Sequence, residues 1–201
     1  MKNPIWEIPI EDVRKIFPLT IKDYNPNYKK WYEIEKQTII NTVKEDNIAR
    51  INHIGSSAVD GLIGKPVMDI SLEIDGICDI PLLIENLKII GWEYLHHEED
   101  PMKSMRIMFV KGYNSDGFAE KVYHMHVRYL GNWHDLYLRD YLIAHPDLAA
   151  EYGKLKLNII KELGDNISIL EGGYGNEKNI FLEKHSSAAK QEFKDKYKPR
   201  L

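Results

Sequence analysis

The chain has 201 residues, 43% of them hydrophobic and 29% charged. That is long enough for one well-packed domain, or a domain with a helical extension, and ordinary for a soluble globular protein. A formal net charge of −4 argues against bulk nucleic-acid binding, because a phosphate backbone selects basic surfaces.

Residues 1–15 carry Pro4, Trp6 and Pro9 without periodicity and read as an arm lying on the domain. Residues 16–23 read as an edge strand, with Pro18 keeping it out of the middle of a sheet. Asn25 and Pro26 supply an N-cap and a first-turn proline for a helix to about Lys44, with Tyr28, Trp31, Tyr32, Ile39, Ile40 and Val43 at helical spacing. An apolar run over 49–54 then meets Gly55 and Ser56, a small-residue loop follows, and a second β-rich run spans 67–74. Asp79 caps a helix over 80–90 that Gly91 stops, and 92–95 is extended again. Residues 96–101, with His96 and His97, look like a polar loop. Residues 105–110 and 119–129 form an antiparallel hairpin around the turn chemistry of 112–117. Helices over 134–144 and 146–163 are divided by Pro146, a glycine-rich interruption covers 164–176, and a last helix runs over 177–197. The expected organisation is an arm (1–15) and one domain, with a sheet core over about 16–130 and a helical part over about 131–201.

Chemistry concentrates around 53–74. In an extended strand successive side chains point to opposite faces, so Asp69, Ser71 and Glu73 share one face of the 67–74 strand while Met68, Ile70, Leu72 and Ile74 share the other. Asp69 and Glu73 lie roughly 13 Å apart, too far to hold one ion between them, whereas Asp69 with Ser71 could. The plainer alternative is a half-exposed strand face. Gly55 and Ser56 offer backbone N–H groups and a hydroxyl to a phosphate, and Lys65 could add charge to the same place. A turn that needs glycine would explain Gly55 equally well. His124 and His126 stand at i, i+2 on one strand face, a spacing that suits a transition metal, or hydrogen bonds to Asp69 or Glu73 without metal. Arg106, Arg128, Arg139, Lys154 and Lys178 could converge on the same face as anion binders. Trp133 and Tyr137 read as core more readily than as a stacking surface for a base. The single cysteine, Cys78, excludes an internal disulfide framework and a cysteine-based zinc site. No apolar run approaches a membrane span and no signal peptide is apparent, so the expected compartment is the cytoplasm.

A Gly-Ser turn followed by a strand with acidic side chains is the order found in nucleotidyltransferases of the DNA-polymerase-beta type. More closely, His53, Gly55, Ser56, Val59, Gly61, Leu62, Lys65, Pro66, Asp69 and Ile70 resemble the signature of the GrpB family. The resemblance continues through His124, His126 and Val127, then Arg139 to Leu142, His145 and Pro146, Tyr152, Leu155 and Lys156, and Tyr174, Lys178 and Phe181, so that it covers about 16–195. It implies an α+β fold: a nucleotidyltransferase-like mixed β-sheet flanked by helices, with C-terminal helices. It also implies a metal-dependent nucleotidyltransferase acting on a nucleoside triphosphate, a nucleotide-like small molecule as partner, and a divalent metal, magnesium or manganese, as cofactor. Asp69, Glu73 and His126 would then be catalytic. Asp69, Ser71, His124 and His126 would hold metal, and Gly55, Ser56, Lys65, Arg139, Lys154 and Lys178 the phosphates. One departure stands out: active members of the superfamily carry a second carboxylate two residues after the first, where this chain has Ser71. The alternative is a catalytically degenerate module of the same fold that binds a nucleotide or a partner. A hydrolase using His124 and His126 is a third reading.

Overall fold

A computed structural model describes residues 9–44, 47–98, 105–114, 117–131, 133–164, 167 and 173–198, apart from the side chains of 96–98. Residues 1–8 of the expected arm lie outside the described residues, and the rest of it is largely helical: α1 (Ile10–Ile16) has Glu11 and Asp12 in its first turn and Arg14 and Lys15 in its last, which suits the helix dipole. The edge strand expected over 16–23 does not form. Lys22 makes one isolated antiparallel bridge to Gly64, and the Leu19 N–H is spent on the carbonyl of Ile167. Pro18 has no N–H to continue a ladder, and Phe17 is buried against Tyr113, with ring centroids 4.6 Å apart.

The helix α2 (Tyr28–Val43) begins two residues after Pro26, and Asn25 accepts a hydrogen bond from the Asn27 N–H instead of capping the first turn itself. Its buried stripe is Tyr28, Tyr32, Glu35, Ile39 and Val43. The acid in that stripe is satisfied by the indole N–H of Trp92 at 3.0 Å and by Lys111 at 2.7 Å.

Five strands follow: β1 (Ile48–Ile54), β2 (Met68–Ile74), β3 (Glu93–Glu98), β4 (Arg106–Asn114) and β5 (Gly117–Tyr129), in the spatial order β1-β2-β5-β4-β3. Only the central pair, β2 and β5, is parallel; the crossover between them contains α3 (Ile80–Ile89), whose first turn is capped by the Asp79 carboxylate accepting from the Leu82 N–H. The β4–β5 hairpin forms, but its strands run further than expected: 112–114 and 117, expected in the turn, belong to the strands. His96 and His97, expected in a loop, have their backbone in β3.

One face of the sheet is a dry core. Met68, Ile70, Leu72, Ile74, Ile107, Phe109, Met125 and Val127 pack there against Tyr28, Tyr32, Ile39 and Val43 of α2 and Leu83 and Leu87 of α3. Burial of each large side chain is worth about 1.5–3 kcal/mol, which fixes the register, because a shift by one residue would turn this set to the other face. The opposite face is covered at one end by α4 (His134–Ala144) and α6 (Tyr174–Phe193), with α5 (Pro146–Leu163) beside them. Leu136, Tyr137 and Leu138 of α4 pack on Ala189 and Tyr197, and Tyr137 is thus core. Helices α4 and α5 have the predicted bounds because Pro146 starts the second. The last helix starts at Tyr174, three residues earlier than expected, and residues 165–166 and 168–172 of the predicted interruption lie outside the described residues.

Candidate functional site

Strand β1 leaves the sheet after Ile54. The chain turns at Gly55, whose φ of +70° is open to glycine and strained for other residues, and Ser56–Ala58 form a single 3₁₀ turn. Three contacts hold this corner from behind. His53 stacks on Tyr32 at 4.7 Å, its Nε2 meets Ser57 Oγ at 3.0 Å, and its carbonyl accepts from the Arg139 guanidinium at 2.8 Å. Burial pushes the His53 imidazole down to about 4, so it is neutral at physiological pH.

Asp69 lies directly against the corner. A Cβ placed on Gly55 would come within 2.3 Å of Asp69 Oδ2. Across the parallel pairing Asp69 faces His124, and Ser71 faces His126. Asp69 Oδ1 is 3.6 Å from His124 Nδ1 and 3.9 Å from His126 Nε2. Burial alone would raise the Asp69 carboxyl, but His126, His124 and Lys65 outweigh it and hold it well below the usual carboxylate range. His124 is pushed down to about 3, first by burial and then by Lys65, and its Nε2 meets the Tyr113 hydroxyl at 2.5 Å.

These groups line a hollow of about 480 Å³ with Gly55, Ser56, Lys65, Arg106, Arg128, Arg139, Tyr152, Tyr174 and Lys178. Arg139 is on its wall but already engaged, with Asp140, Tyr197 and the His53 carbonyl as partners. Arg128 is paired with Asp135 at 2.8 Å. Lys154 is not part of this hollow. It lines a neighbouring groove of about 510 Å³, mostly apolar, on the other side of the 58–63 loop.

Two further members of the predicted set also sit elsewhere. Ser71 is buried and does not line the hollow. Glu73 is fully buried at the far end of β2, where Arg50 Nε lies 3.4 Å from its carboxylate and the Gly131 N–H donates to it at 3.3 Å. A face that alternation alone would leave half-exposed is sealed at this end because α4 packs over β1.

Lys156, matched by the family resemblance but given no role there, is the residue of the corner that the sequence reading missed. It is wholly buried, donates to Ser56 Oγ at 2.9 Å and to the carbonyl of Ile63, and lies 4.4 Å from the centroid of the Tyr152 ring. Burial, with Lys178 and Lys65 adding to it, pushes its amine down to about 7; Lys65, by burial and Lys178, is pushed down to about 8. The sequence does carry a signal for Lys156, which interrupts the buried stripe of α5, Ala149, Tyr152, Gly153 and Ile159.

A magnesium or manganese ion asks for several hard oxygen ligands. Of the carboxylates that line the hollow, Asp135 is paired with Arg128 and Glu183 is exposed on α6; Asp69 stands at the corner beside two imidazoles, with Ser71 buried apart, and among the described residues no group of three or more His, Cys, Asp or Glu side chains is placed to hold a metal ion. Asp69, His124 and His126 come together but Ser71 does not join them, and one carboxylate with two imidazoles does not fit that group.

The fold is of the α+β class, a mixed sheet flanked by helices. The GLD-2/RNP-8 complex structure matches 96% of this chain and 72% of that one with a TM-score of 0.50 and 10% identity, a likeness of fold alone. Within that class the family follows from sequence. The GrpB protein family matches residues 18–188, and the chain belongs to it, as the 53–70 signature implies. The crystal structure of conserved protein GrpB from Enterococcus faecalis is similar with a TM-score of 0.71 and 27% identity, covering 88% of this chain and all of that one (100%). Glutamate-rich protein GrpB of Alkalihalophilus pseudofirmus is 28% identical over 164 residues, 80% of this chain and 89% of that protein. No helix among the described residues is long and apolar enough to cross a membrane.

Proposed function

We propose that this chain binds a nucleoside triphosphate in the hollow, with the phosphates at the Gly55–Ser56 corner, Lys65 and Lys178 on the wall and Lys156 behind the Ser56 hydroxyl. The observation that carries this reading is Lys156: a wholly buried lysine whose amine is aimed at the hydroxyl of a Gly-Ser turn. Burying an ammonium is costly unless an anion compensates it, and a phosphate oxygen at Ser56 would do so. Tyr174 and Tyr152 wall the same end. Calorimetric titration of the protein with ATP tests the reading: a single site is expected in the wild type, and Lys156→Met should weaken it by about tenfold or more, since a charge-assisted hydrogen bond is worth roughly 1.5–3 kcal/mol. An affinity unchanged in a folded Lys156→Met protein would remove the basis for it.

A second reading, nucleotidyl transfer, is favoured by Asp69 lying flush against the corner with His126 beside it. In that case Asp69 and His126 orient an acceptor and take its proton, and Glu73, Ser71 and Lys154 have no part, because none reaches the hollow. Release of pyrophosphate from ATP, lost in Asp69→Asn, would select transfer over binding alone.

A further inference from the structure

The lysine cluster at the corner bears on the form in which a phosphate ligand enters, an inference that rests on the triphosphate reading above. Among the described residues Lys156 meets neutral groups: the Ser56 hydroxyl, the Ile63 carbonyl and the Tyr152 ring. Lys156 is buried behind Ser56, whereas Lys65 and Lys178 line the hollow itself, Lys178 with its amine 5.8 Å from the Tyr174 ring centroid. The three act on one another as like charges, Lys178 on both Lys65 and Lys156, and Lys65 on Lys156. Asp69 attracts both Lys65 and Lys156, but its carboxylate is shared with two imidazoles.

Like charges brought together in a partly buried place cost free energy, which an anionic guest returns. A polyphosphate chelated to magnesium arrives with much of its charge cancelled and needs oxygen donors from the protein to share the ion. Of the carboxylates that line this hollow, Asp135 is paired with Arg128 and Glu183 is exposed on α6, which leaves Asp69 at the corner for that purpose. Ammonium groups, by contrast, neutralise phosphate oxygens directly. We propose that the hollow takes its polyphosphate as the free anion, with Lys65, Lys156 and Lys178 supplying the positive charge that a magnesium ion would otherwise bring.

Calorimetric titration of the intact chain with ATP, once in excess EDTA and once in excess magnesium, tests this. The dissociation constant in EDTA is expected to lie within about threefold of the magnesium value, or below it. In EDTA, Lys178→Ala, a partly exposed position on α6, should weaken binding about tenfold. Asp69→Asn, which removes an opposing negative charge, should tighten it by about threefold. Affinity weaker by about tenfold or more in EDTA, or loss of binding in Asp69→Asn, overturns the inference and leaves the nucleotide reading standing. No heat in either buffer overturns both.

Discussion

Asp69 and Glu73 sit four residues apart on the same face of the same strand, and the fold treats them in opposite ways. Opposite Asp69 in β1 is Ile54, where the chain turns out of the sheet at Gly55, so the carboxylate opens onto a hollow. Opposite Glu73 is Arg50, itself lying over the rings of Trp133 and Tyr197, and the carboxylate is closed in with no exposure. Residue type and alternation are shared by the two positions. The difference lies in which neighbour the adjacent strand presents and where that strand ends. A carboxylate on a strand becomes available for chemistry where its neighbour leaves the sheet.

The strongest test of this contrast is at the sealed end. Glu73→Ala leaves the Arg50 guanidinium partly buried without its acid, and should cost about 3 kcal/mol of stability in urea unfolding, with ATP affinity per folded molecule unchanged. If that variant instead kept its stability and lost ATP binding, the division of roles between the two acids would be wrong.

At the open end, Gly55→Ala puts a methyl group where Asp69 Oδ2 lies and forces a non-glycine residue to φ +70°. Strain of about 1–2 kcal/mol and displacement of the carboxylate are expected, with ATP affinity reduced about tenfold. An unchanged affinity would show that the corner does not hold the ligand.

Proton linkage gives the next effect. With the hollow empty, burial and its lysine neighbours hold the Lys156 amine at about 7; a bound anion favours the ammonium form and raises that value. Below about 7 the amine is charged in both states and pH has little effect. Above it, binding must take up a proton, so affinity should fall as pH rises, by at most about tenfold per unit for one group. Titration in buffers of different ionisation enthalpy measures that proton uptake, and Lys156→Met should diminish it.

The smallest effect is expected for stability at Asp69. Its carboxyl is depressed in the folded protein, so the ionised form stabilises the fold above about pH 4, the ordinary range of an unfolded aspartate, and the contribution fades as the pH falls. Asp69→Asn should therefore lower stability at neutral pH by about 1 kcal/mol, with the difference from wild type vanishing in acid. A variant equally destabilised at acid and neutral pH would mean that Asp69 acts through packing, as Glu73's surroundings do.

Short-range patterns in this chain were legible because they are decided by a few neighbouring residues. Asp79 caps α3, Pro146 starts α5, and the alternation of β2 separates Met68, Ile70 and Leu72 from Asp69, Ser71 and Glu73. The corner was legible as well, since Gly55 and Ser56 stand next to an apolar run that has to end. The arm that becomes α1 was not, because seven residues give too little periodicity to recognise. Nor was the edge strand that fails to form: 16–23 has strand-like composition, but its partners are Ile167 and Gly64, which no local pattern announces.

The sequence by itself determined the family signature, the two-faced β2 strand, the boundaries of α4 and α5 and the presence of one acid near a glycine-serine turn. Tertiary structure decided which of two equivalent acids is open, because Arg50 and Arg139 reach their places through β1 pairing and helix packing. It also decided that Lys156, one hundred residues beyond Ser56 in sequence, completes the corner. A hydrogen bond across that separation depends on how α5 docks against the sheet, and docking is set by the packing of whole faces, not by any run of adjacent residues.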